Sequence, residues 1–214
     1  MSYAVKECFL TLQGEGARAG TSAVFCRFAG CNLWSGREQD RSTARCRFCD
    51  TDFVGTDGPG GGRFASADQL ASHIEATWAG LVRDASQPRA VVFTGGEPLL
   101  QLDEPLVGAC HARGFHVAVE TNGTLPCPAG VDWICVSPKA GNKIVQRSGH
   151  ELKVPWPQPG LSLDELESLP FEHRFLQPID GPDRDANTTL CLRTCMTRTR
   201  WRLGVQMHKI VGLR

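Results

Sequence analysis

The sequence lacks an excess of charge of either sign and lacks any long apolar run. Lys plus Arg and Asp plus Glu both number 23 among the 214 residues, so the formal net charge is zero. A chain without net charge has no overall field to attract a polyanion, which argues against a non-specific nucleic-acid binder. No stretch approaches the roughly 20 apolar residues that a membrane-spanning helix needs. We therefore expect no nucleic-acid partner and no membrane partner.

An export signal is also missing from the first residues. The chain does not start with a basic segment followed by an apolar run and a small-residue cleavage site. It nevertheless contains 10 cysteines, and a disulfide framework of that size is typical of secreted proteins. Without the signal we expect a cytoplasmic protein whose cysteines bind metal or act in catalysis.

Apolar, β-branched segments alternate with amphipathic segments along most of the chain, and no internal repeat is present. This alternation predicts an α/β fold of parallel strands joined by right-handed crossovers, either an open doubly wound sheet or a complete or partial barrel. The length suits a single domain over residues 1–214. The predicted strands are residues 5–12, 23–28, 90–94, 116–120, 133–136, 151–154, 174–176 and 202–206.

Four helices are predicted between these strands. Two begin with a capping box, Ser66 with Gln69 and Ser162 with Glu165. The other two span about residues 103–113 and 185–198, and functional groups are expected at the carboxyl ends of the strands. Residues 32–45 and 55–63 are predicted loops. The apolar face of the first helix carries Leu70, Ile74, Trp78 and Leu81.

Three cysteines follow the second predicted strand. Cys31 comes at its end, and Cys46 and Cys49 are separated by two residues. Two thiolates at this spacing can converge on one metal centre, and a third from a strand end completes a three-sulfur face. On this motif alone, iron–sulfur and zinc are equal alternatives. Zinc needs a fourth ligand, and because a second Cys-x-x-Cys is absent, Cys26 or a distant His would have to supply it.

The other seven cysteines are interpreted as packing residues. Six of them lie in apolar strand or helix patterns, where cysteine behaves as a small buried hydrophobe. The seventh, Cys127, lies between two prolines and is predicted to be an inert loop residue. The six are Cys8, Cys26, Cys110, Cys135, Cys191 and Cys195.

A glycine pair ends the third predicted strand, in the segment Gly95-Gly96-Glu97-Pro98. Paired glycines let a ligand approach main-chain groups that a side chain would shield. Taken alone, Gly-Gly is more often a tight turn. Combined with the three cysteines it becomes more informative.

These features together resemble the radical S-adenosylmethionine superfamily, in which three cysteines hold a 4Fe-4S cluster and a GGE motif holds the methionine amino group. Phe48, just before the last cysteine, also fits that pattern. The resemblance implies a partial, incomplete parallel β/α barrel. Three thiolates leave one iron of a cubane free for chelation by a ligand's amino and carboxylate groups.

The cysteine spacing departs from the superfamily's usual pattern. Fourteen residues separate Cys31 from Cys46, whereas three are usual. The cluster-binding loop, residues 31–49, is thus expanded. An insert that loops out is compatible with the motif, because the entropic cost of closing a loop grows slowly with its length.

Six short motifs make the resemblance more specific, namely LQGEG, CDT, TGGEP, ETNG, SPK and QMHK. They are similar to those of the 7-carboxy-7-deazaguanine synthase family. The resemblance implies a magnesium-dependent radical lyase that converts 6-carboxy-5,6,7,8-tetrahydropterin to 7-carboxy-7-deazaguanine and ammonia in 7-deazapurine (queuosine) biosynthesis. It also implies a homodimer and an electron-donor protein such as a flavodoxin.

The same resemblance implies roles for individual residues. Gln and Glu side chains can read the donors and acceptors of a pterin ring, an Arg can pair with its carboxylate, and magnesium prefers oxygen ligands. The implied substrate contacts are Leu12, Gln13, Gly14, Glu15, Arg27 and Thr94; the S-adenosylmethionine contacts are Phe48, Gly96, Glu97, Ser137, Pro138, Lys139 and Gln177; the cluster ligands are Cys31, Cys46 and Cys49; and the magnesium ligand is Thr51.

Several alternatives stay open. Asp50 either supports magnesium through water or caps a turn, and Glu120 and Asn122 belong either to the site or to a turn. His208 and Lys209 lie near the terminus, where a fraying tail is an alternative. For the whole chain, the alternatives are a glycyl-radical enzyme activating protein, or a zinc-stabilised binding module without catalysis.

Overall fold

The computed structural model describes residues 2–80 and 88–213, which form strands, five α-helices and three short 3-10 helices. Leu81, predicted on the first helix, lies outside the described residues. In chain order the elements are β1 (Tyr3–Leu12), β2 (Ser22–Phe28), β3 (Gly62–Phe64), α1 (Ala67–Ala79), β4 (Arg89–Gly95), α2 (Glu104–His111), β5 (Phe115–Thr121), β6 (Trp133–Val136), β7 (Gly149–Trp156), α3 (Leu163–Glu167), β8 (Phe171–Pro178), α4 (Arg184–Thr197), β9 (Arg202–Leu203) and α5 (Met207–Val211). The 3-10 helices are Gly16–Arg18, Glu38–Thr43 and Pro98–Leu100.

All the described strands belong to one open sheet in the order β3-β1-β2-β4-β5-β6-β7-β8-β9. In this sheet order, each strand from β2 through β4 to β9 is parallel to its neighbour. The two ends of the sheet, β3 and β9, do not pair with each other. The sheet is therefore a partial β/α barrel, which confirms the predicted fold.

The direction of β1 corrects the expectation of parallel strands throughout. β1 is antiparallel to β2 and to β3. Only residues 13–21 connect β1 to β2, and a parallel pair needs a crossover of a dozen or more residues. The short connection therefore forces an antiparallel pair.

Two further strands differ from the prediction. β3 was not predicted, because its three residues adjoin a glycine-rich loop that gives no strand signal. The predicted strand 202–206 is reduced to β9; the Gly204 N–H still donates to the Leu176 carbonyl of β8 at 2.7 Å, and the strand does not continue beyond it.

The helix starts agree with the predicted caps. Ser66 accepts a hydrogen bond from the N–H of Gln69 at 3.2 Å, and Ser162 accepts one from Glu165 at 3.3 Å. α2 begins after Asp103, whose carboxylate accepts from the Leu106 N–H at 3.1 Å. Satisfying these otherwise unpaired N–H groups fixes where each helix begins. Within residues 2–80 and 88–213, no helix has the length and apolarity needed to cross a membrane.

Successive strand residues point to opposite faces of the sheet. On one face of β4, Val91 and Phe93 pack with α1 and α2 in the main core. On the other face, Ala90 and Val92 form a smaller buried cluster with Ala118, against which Phe25 and Trp133 pack. Both faces of the central strands therefore contribute buried contacts.

The cysteine packing prediction is confirmed for the six residues in strand and helix patterns, since five are buried and Cys195 packs partly buried against a core. Cys127 also packs partly buried against the main core. Cys127 thus lies in a loop, as predicted, but also contributes to the packing of the core.

Candidate active site

A cavity of about 580 Å³ opens at the carboxyl ends of the parallel strands. Its wall combines residues of β1, β2, β4, β5, β7 and β8 with the 31–49 loop and the C-terminal segment. Of the predicted site residues, all but Glu97 and Pro138 line it. Those that do are Leu12, Gln13, Gly14, Glu15, Arg27, Cys31, Cys46, Phe48, Cys49, Thr51, Thr94, Gly96, Ser137, Lys139 and Gln177.

Cys31, Cys46 and Cys49 lie on one side of this cavity. Burial raises the pKa of Cys31, although N–H groups of the following residues favour its thiolate. Burial likewise raises the pKa of Cys46, and the ammonium of Lys139 opposes this effect. The positive charge beside the thiols favours the deprotonated sulfur that ligates metal.

The donor set fits a cubane cluster. Cys31, Cys46 and Cys49 line the cavity together, and no other cysteine is among the described residues of its wall. Three thiolates can hold a cubane and leave one iron free for a ligand from the cavity.

The insert of residues 32–45 is tied to the cluster loop and does not simply loop out. Trp34 is buried and packs edge-to-face on Phe53, with ring centroids 5.6 Å apart. The Arg41 guanidinium lies 4.1 Å from the Trp34 ring centroid and donates to the carbonyls of Arg47 and Cys49 at 2.9 and 3.0 Å. Arg41 thereby links the insert to the last cysteine.

The glycine pair after β4 brings two backbones together. A Cβ atom on Gly96 would lie 2.2 Å from the Gly30 carbonyl oxygen and 2.7 Å from the Cys31 Cβ. No larger residue fits there without moving the segment that carries Cys31. The Gly-Gly motif is therefore required at this position by close packing against the cysteine segment.

Glu97 is fully buried and is absent from the cavity wall. One carboxylate oxygen accepts from the Thr121 hydroxyl at 2.7 Å and the Leu99 N–H at 2.9 Å, and the other accepts from the Asn122 N–H at 2.8 Å. Burial raises the pKa of Glu97, although these three hydrogen-bond donors favour its ionised form. Its side chain joins the ends of β4 and β5, and Asn122 takes part in the same junction.

A polar network forms the floor of the cavity. Gln13 donates to one oxygen of Glu120 at 2.8 Å, and Lys153 lies 2.9 Å from the other. Lys153 is also 2.7 Å from a Glu15 oxygen. Although burial favours the neutral acid, Lys153 lowers the pKa of Glu15 to about 2. Glu15 is therefore held as an ionised acceptor beside Lys153.

Arg27 extends from β2 beside this floor. Its Nε donates to a Glu7 oxygen at 2.8 Å. Such a contact leaves the terminal guanidinium nitrogens oriented for a second, two-point partner. Arg27 is therefore placed to bind a carboxylate inside the cavity.

The part of the wall that Ser137, Lys139 and Gln177 form is polar. Lys139 donates to the Ser137 carbonyl and hydroxyl at 2.7 and 2.8 Å. The buried Oε1 of Gln177 has no hydrogen-bond partner among the residues that the structure describes. A buried acceptor without a partner is costly, so a ligand that donates a hydrogen bond fits this position.

The C-terminal segment completes the wall and is not a fraying tail. The Met207 N–H donates to the Gly14 carbonyl at 2.9 Å, and Gln206 donates to Glu15 at 3.0 Å. His208 packs directly on Gly14. Lys209 contacts both Asp180, at 2.7 Å, and Asp50. Gln206, His208 and Lys209 all line the cavity.

Comparisons with known proteins agree with this geometry. Residues 39–154 match the Radical SAM superfamily. The chain is 62% identical over 213 residues to the 7-carboxy-7-deazaguanine synthase of Caulobacter vibrioides and 60% identical over 213 residues to that of Bordetella pertussis, each alignment covering 100% of both proteins. The chain belongs to the 7-carboxy-7-deazaguanine synthase family. The crystal structure of QueE from Escherichia coli is similar, with a TM-score of 0.70 and 29% identity over 97% of this chain and 95% of that one.

Some residues of this synthase-family site were missed by sequence reasoning. Lys153 looks like one polar residue in an apolar strand, yet it holds two carboxylates. Gln206 lies in the QMHK motif but was given no role, and Arg41 belongs to no motif. For Lys153 the only available signal was its charge, because an unpaired lysine is almost never buried.

Proposed function

We propose that this protein is a radical lyase that converts 6-carboxy-5,6,7,8-tetrahydropterin to 7-carboxy-7-deazaguanine and ammonia, within 7-deazapurine (queuosine) biosynthesis. The observation that carries this proposal is one cavity whose wall combines three cysteines with Arg27, Glu15 and Glu120. The relatives that bear the synthase name align over their full length, which supports the same activity here.

Cys31, Cys46 and Cys49 would hold the 4Fe-4S cluster at the wall of this cavity, and the iron without a thiolate would be free to bind S-adenosylmethionine. Bound together, the cluster and S-adenosylmethionine supply the radical that removes a hydrogen atom from the substrate. The chain's own residues bind and orient the reactants. Phe48, Gly96, Ser137, Lys139 and Gln177 would contact S-adenosylmethionine, with Glu97 and Pro138 supporting those segments from behind the wall.

The floor would hold the pterin. The carboxylates of Glu15 and Glu120 can accept from ring N–H groups, and the Gln13 amide adds an acceptor and a donor. Arg27 would pair with the carboxylate of the substrate, because a guanidinium fork matches a carboxylate in two-point geometry. Leu12, Gly14 and Thr94 would complete the contact surface.

Thr51 would be the protein ligand of magnesium. Magnesium keeps several waters and needs few protein oxygens, so one hydroxyl together with substrate oxygens is sufficient. Thr51 follows Asp50, whose carboxylate contacts Lys209. That contact would keep the segment next to the magnesium position in place.

Two partners are part of the proposal. Exposed apolar side chains on α4 and α5, such as Met196 and Ile210 with 80% and 68% of their surface accessible, suit a homodimer contact. The exposed Arg37 and Arg45 beside the cluster loop suit an acidic electron-donor protein such as a flavodoxin. Ten free cysteines require a reducing compartment, which supports the cytoplasm.

Anaerobic reconstitution followed by turnover tests the activity. The protein is loaded with iron and sulfide and incubated with S-adenosylmethionine, the tetrahydropterin, magnesium and dithionite. We expect ammonia release together with deazapurine absorbance, and loss of both in Gln13→Ala. A brown, dithionite-bleachable protein that forms neither product would contradict the proposal. Activation of a glycyl-radical enzyme that survives Gln13→Ala would establish the alternative reaction.

A further inference from the structure

Lys153 is a buried ammonium at the point where three separate elements meet. It lies on β7 and only 4% of its surface is accessible. Its Nζ is 2.7 Å from Glu15, in the connection after β1, and 2.9 Å from Glu120, on β5. A lysine in such surroundings is stable only when its charge is compensated, and these two carboxylates compensate it.

The second oxygen of each carboxylate is also engaged. Glu15 accepts from the Gln206 amide at 3.0 Å, and Glu120 accepts from the Gln13 amide at 2.8 Å. Each carboxylate is therefore held from two directions. Among the residues that the structure describes, the Lys153 ammonium is the one group that contacts both carboxylates.

A third carboxylate faces the same interior. Glu151 accepts from the Ala17 N–H at 3.0 Å and from the Cys135 thiol at 3.6 Å. Burial raises the pKa of Glu151, in contrast to that of Glu15. The charged or titratable groups near Lys153 are thus Glu15, Glu120, Glu151, Cys135 and Lys139, with His208 acting on Glu15 from α5.

Removing the Lys153 ammonium would change which hydrogen-bond donors Glu15 and Glu120 can accept from a ligand. Two neighbouring carboxylates without a cation repel each other, and one of them binds a proton. A carboxylic acid donates a hydrogen bond where a carboxylate only accepts. A floor with a shared proton would therefore oppose a substrate that presents two N–H donors.

We propose that Lys153 is a positioning residue that fixes Glu15 and Glu120 as paired ionised acceptors, so that the cavity selects a substrate with adjacent N–H donors. This inference rests on the proposed assignment of the floor to the tetrahydropterin. Lys153 itself does not need to touch the reacting atoms. Its effect is on the affinity for the pterin and on the pH dependence of that affinity.

The decisive variant is Lys153→Met, with the exposed Lys143→Met as the matched control. For each reconstituted protein we measure cluster absorbance, S-adenosylmethionine affinity, and KM and kcat for the tetrahydropterin. We expect Lys153→Met to raise KM at least about tenfold, because buried acceptors lose their charged partner. S-adenosylmethionine affinity should stay within about twofold, and Lys143→Met should match the unmodified protein.

The pH profile separates positioning from a merely structural role. The kcat/KM of Lys153→Met relative to the unmodified protein should rise as pH rises from about 6 to about 8, because the shared proton that opposes the N–H donors of the substrate is lost. An unchanged KM together with a parallel pH profile would overturn the inference. A loss of kcat alone would also overturn it.

Lys153→Arg keeps the test usable if Lys153→Met does not fold. It retains the charge but places it in a wider planar group, so the cluster should assemble while the pterin KM rises. An unchanged KM in Lys153→Arg would then count against positioning. Turnover by the unmodified protein is measured first. If the unmodified protein shows no turnover, the proposed function is refuted. If it does turn over, the results for the variants bear on the role of Lys153 alone.

Discussion

Lys209 on the last helix contacts Asp50, the residue between the last cluster cysteine and Thr51. The same ammonium lies 2.7 Å from Asp180, beyond the end of β8. One side chain thereby connects the cluster loop to the opposite wall of the cavity. This contact makes the C-terminal segment part of the geometry around the proposed magnesium position.

Lys209→Met should weaken the response to magnesium. Without the ammonium, Asp50 and its neighbour Thr51 are less restrained, and partly exposed ion pairs of this kind contribute about 0.2–1 kcal/mol each. We expect the magnesium concentration for half-maximal turnover to rise by about two- to fivefold. A magnesium titration of the reconstituted enzyme measures it, with the exposed Asp183→Asn as the control. An unchanged titration curve would show that the contact has no role in the site.

Gly96→Ala should prevent cluster assembly. The added methyl group would collide with the Gly30 carbonyl and displace Cys31. Visible absorbance after anaerobic reconstitution reports the loss. Gly108→Ala is the matched control, because a Cβ there meets nothing within 4 Å and alanine in a helix gains about 0.5–1 kcal/mol over glycine. Normal absorbance in Gly96→Ala would mean that the loop tolerates the displacement.

Cys46→Ala should abolish both the cluster absorbance and turnover, whereas Cys110→Ala should affect stability alone. Cys110 is fully buried in the main core, and loss of its sulfur costs on the order of 1 kcal/mol. Visible spectra and urea unfolding distinguish the two variants. Turnover by Cys46→Ala would refute the assignment of the cluster ligands.

Glu15 should contribute to acid stability. Its pKa falls from 4.5 to about 2 on folding, in spite of burial, because of Lys153. A carboxyl whose pKa is lower in the folded state stabilises the protein above its unfolded pKa, and this contribution is lost as pH falls from about 4.5 towards 2. Its magnitude at neutral pH is up to about 3 kcal/mol.

Urea unfolding of the metal-free chain and of Glu15→Gln, across this pH window, measures that contribution. The difference in unfolding free energy between the two proteins should be largest near neutral pH and shrink below pH of about 4.5. A difference that is constant with pH would contradict the ionised pairing of Glu15 with Lys153.

Local patterns were sufficient for most of the fold. The capping boxes at Ser66 and Ser162 mark real helix starts because the cap and its partner lie three residues apart. The direction of β1 does not follow from its apolar pattern; it follows from the short connection between β1 and β2. Strand apolarity indicates burial but not the direction of pairing.

The site was only partly predictable, for a different reason. Motif residues such as Gln13 and Cys31 could be placed by resemblance, and the structure brings both to one cavity. Lys153 and Glu120 are 33 residues apart, and their pairing depends on β7 and β5, which β6 separates in the sheet. No local pattern encodes such a contact.

The C-terminal wall has a consequence for biosynthesis. The cluster cysteines leave the ribosome more than 150 residues before Gln206, as the positions of Cys49 and Gln206 show. Gln206, His208 and Lys209, which contribute to the wall, are therefore the last part of the cavity to be synthesised. A chain cut before Gln206 would keep the three thiols but lack this part of the wall.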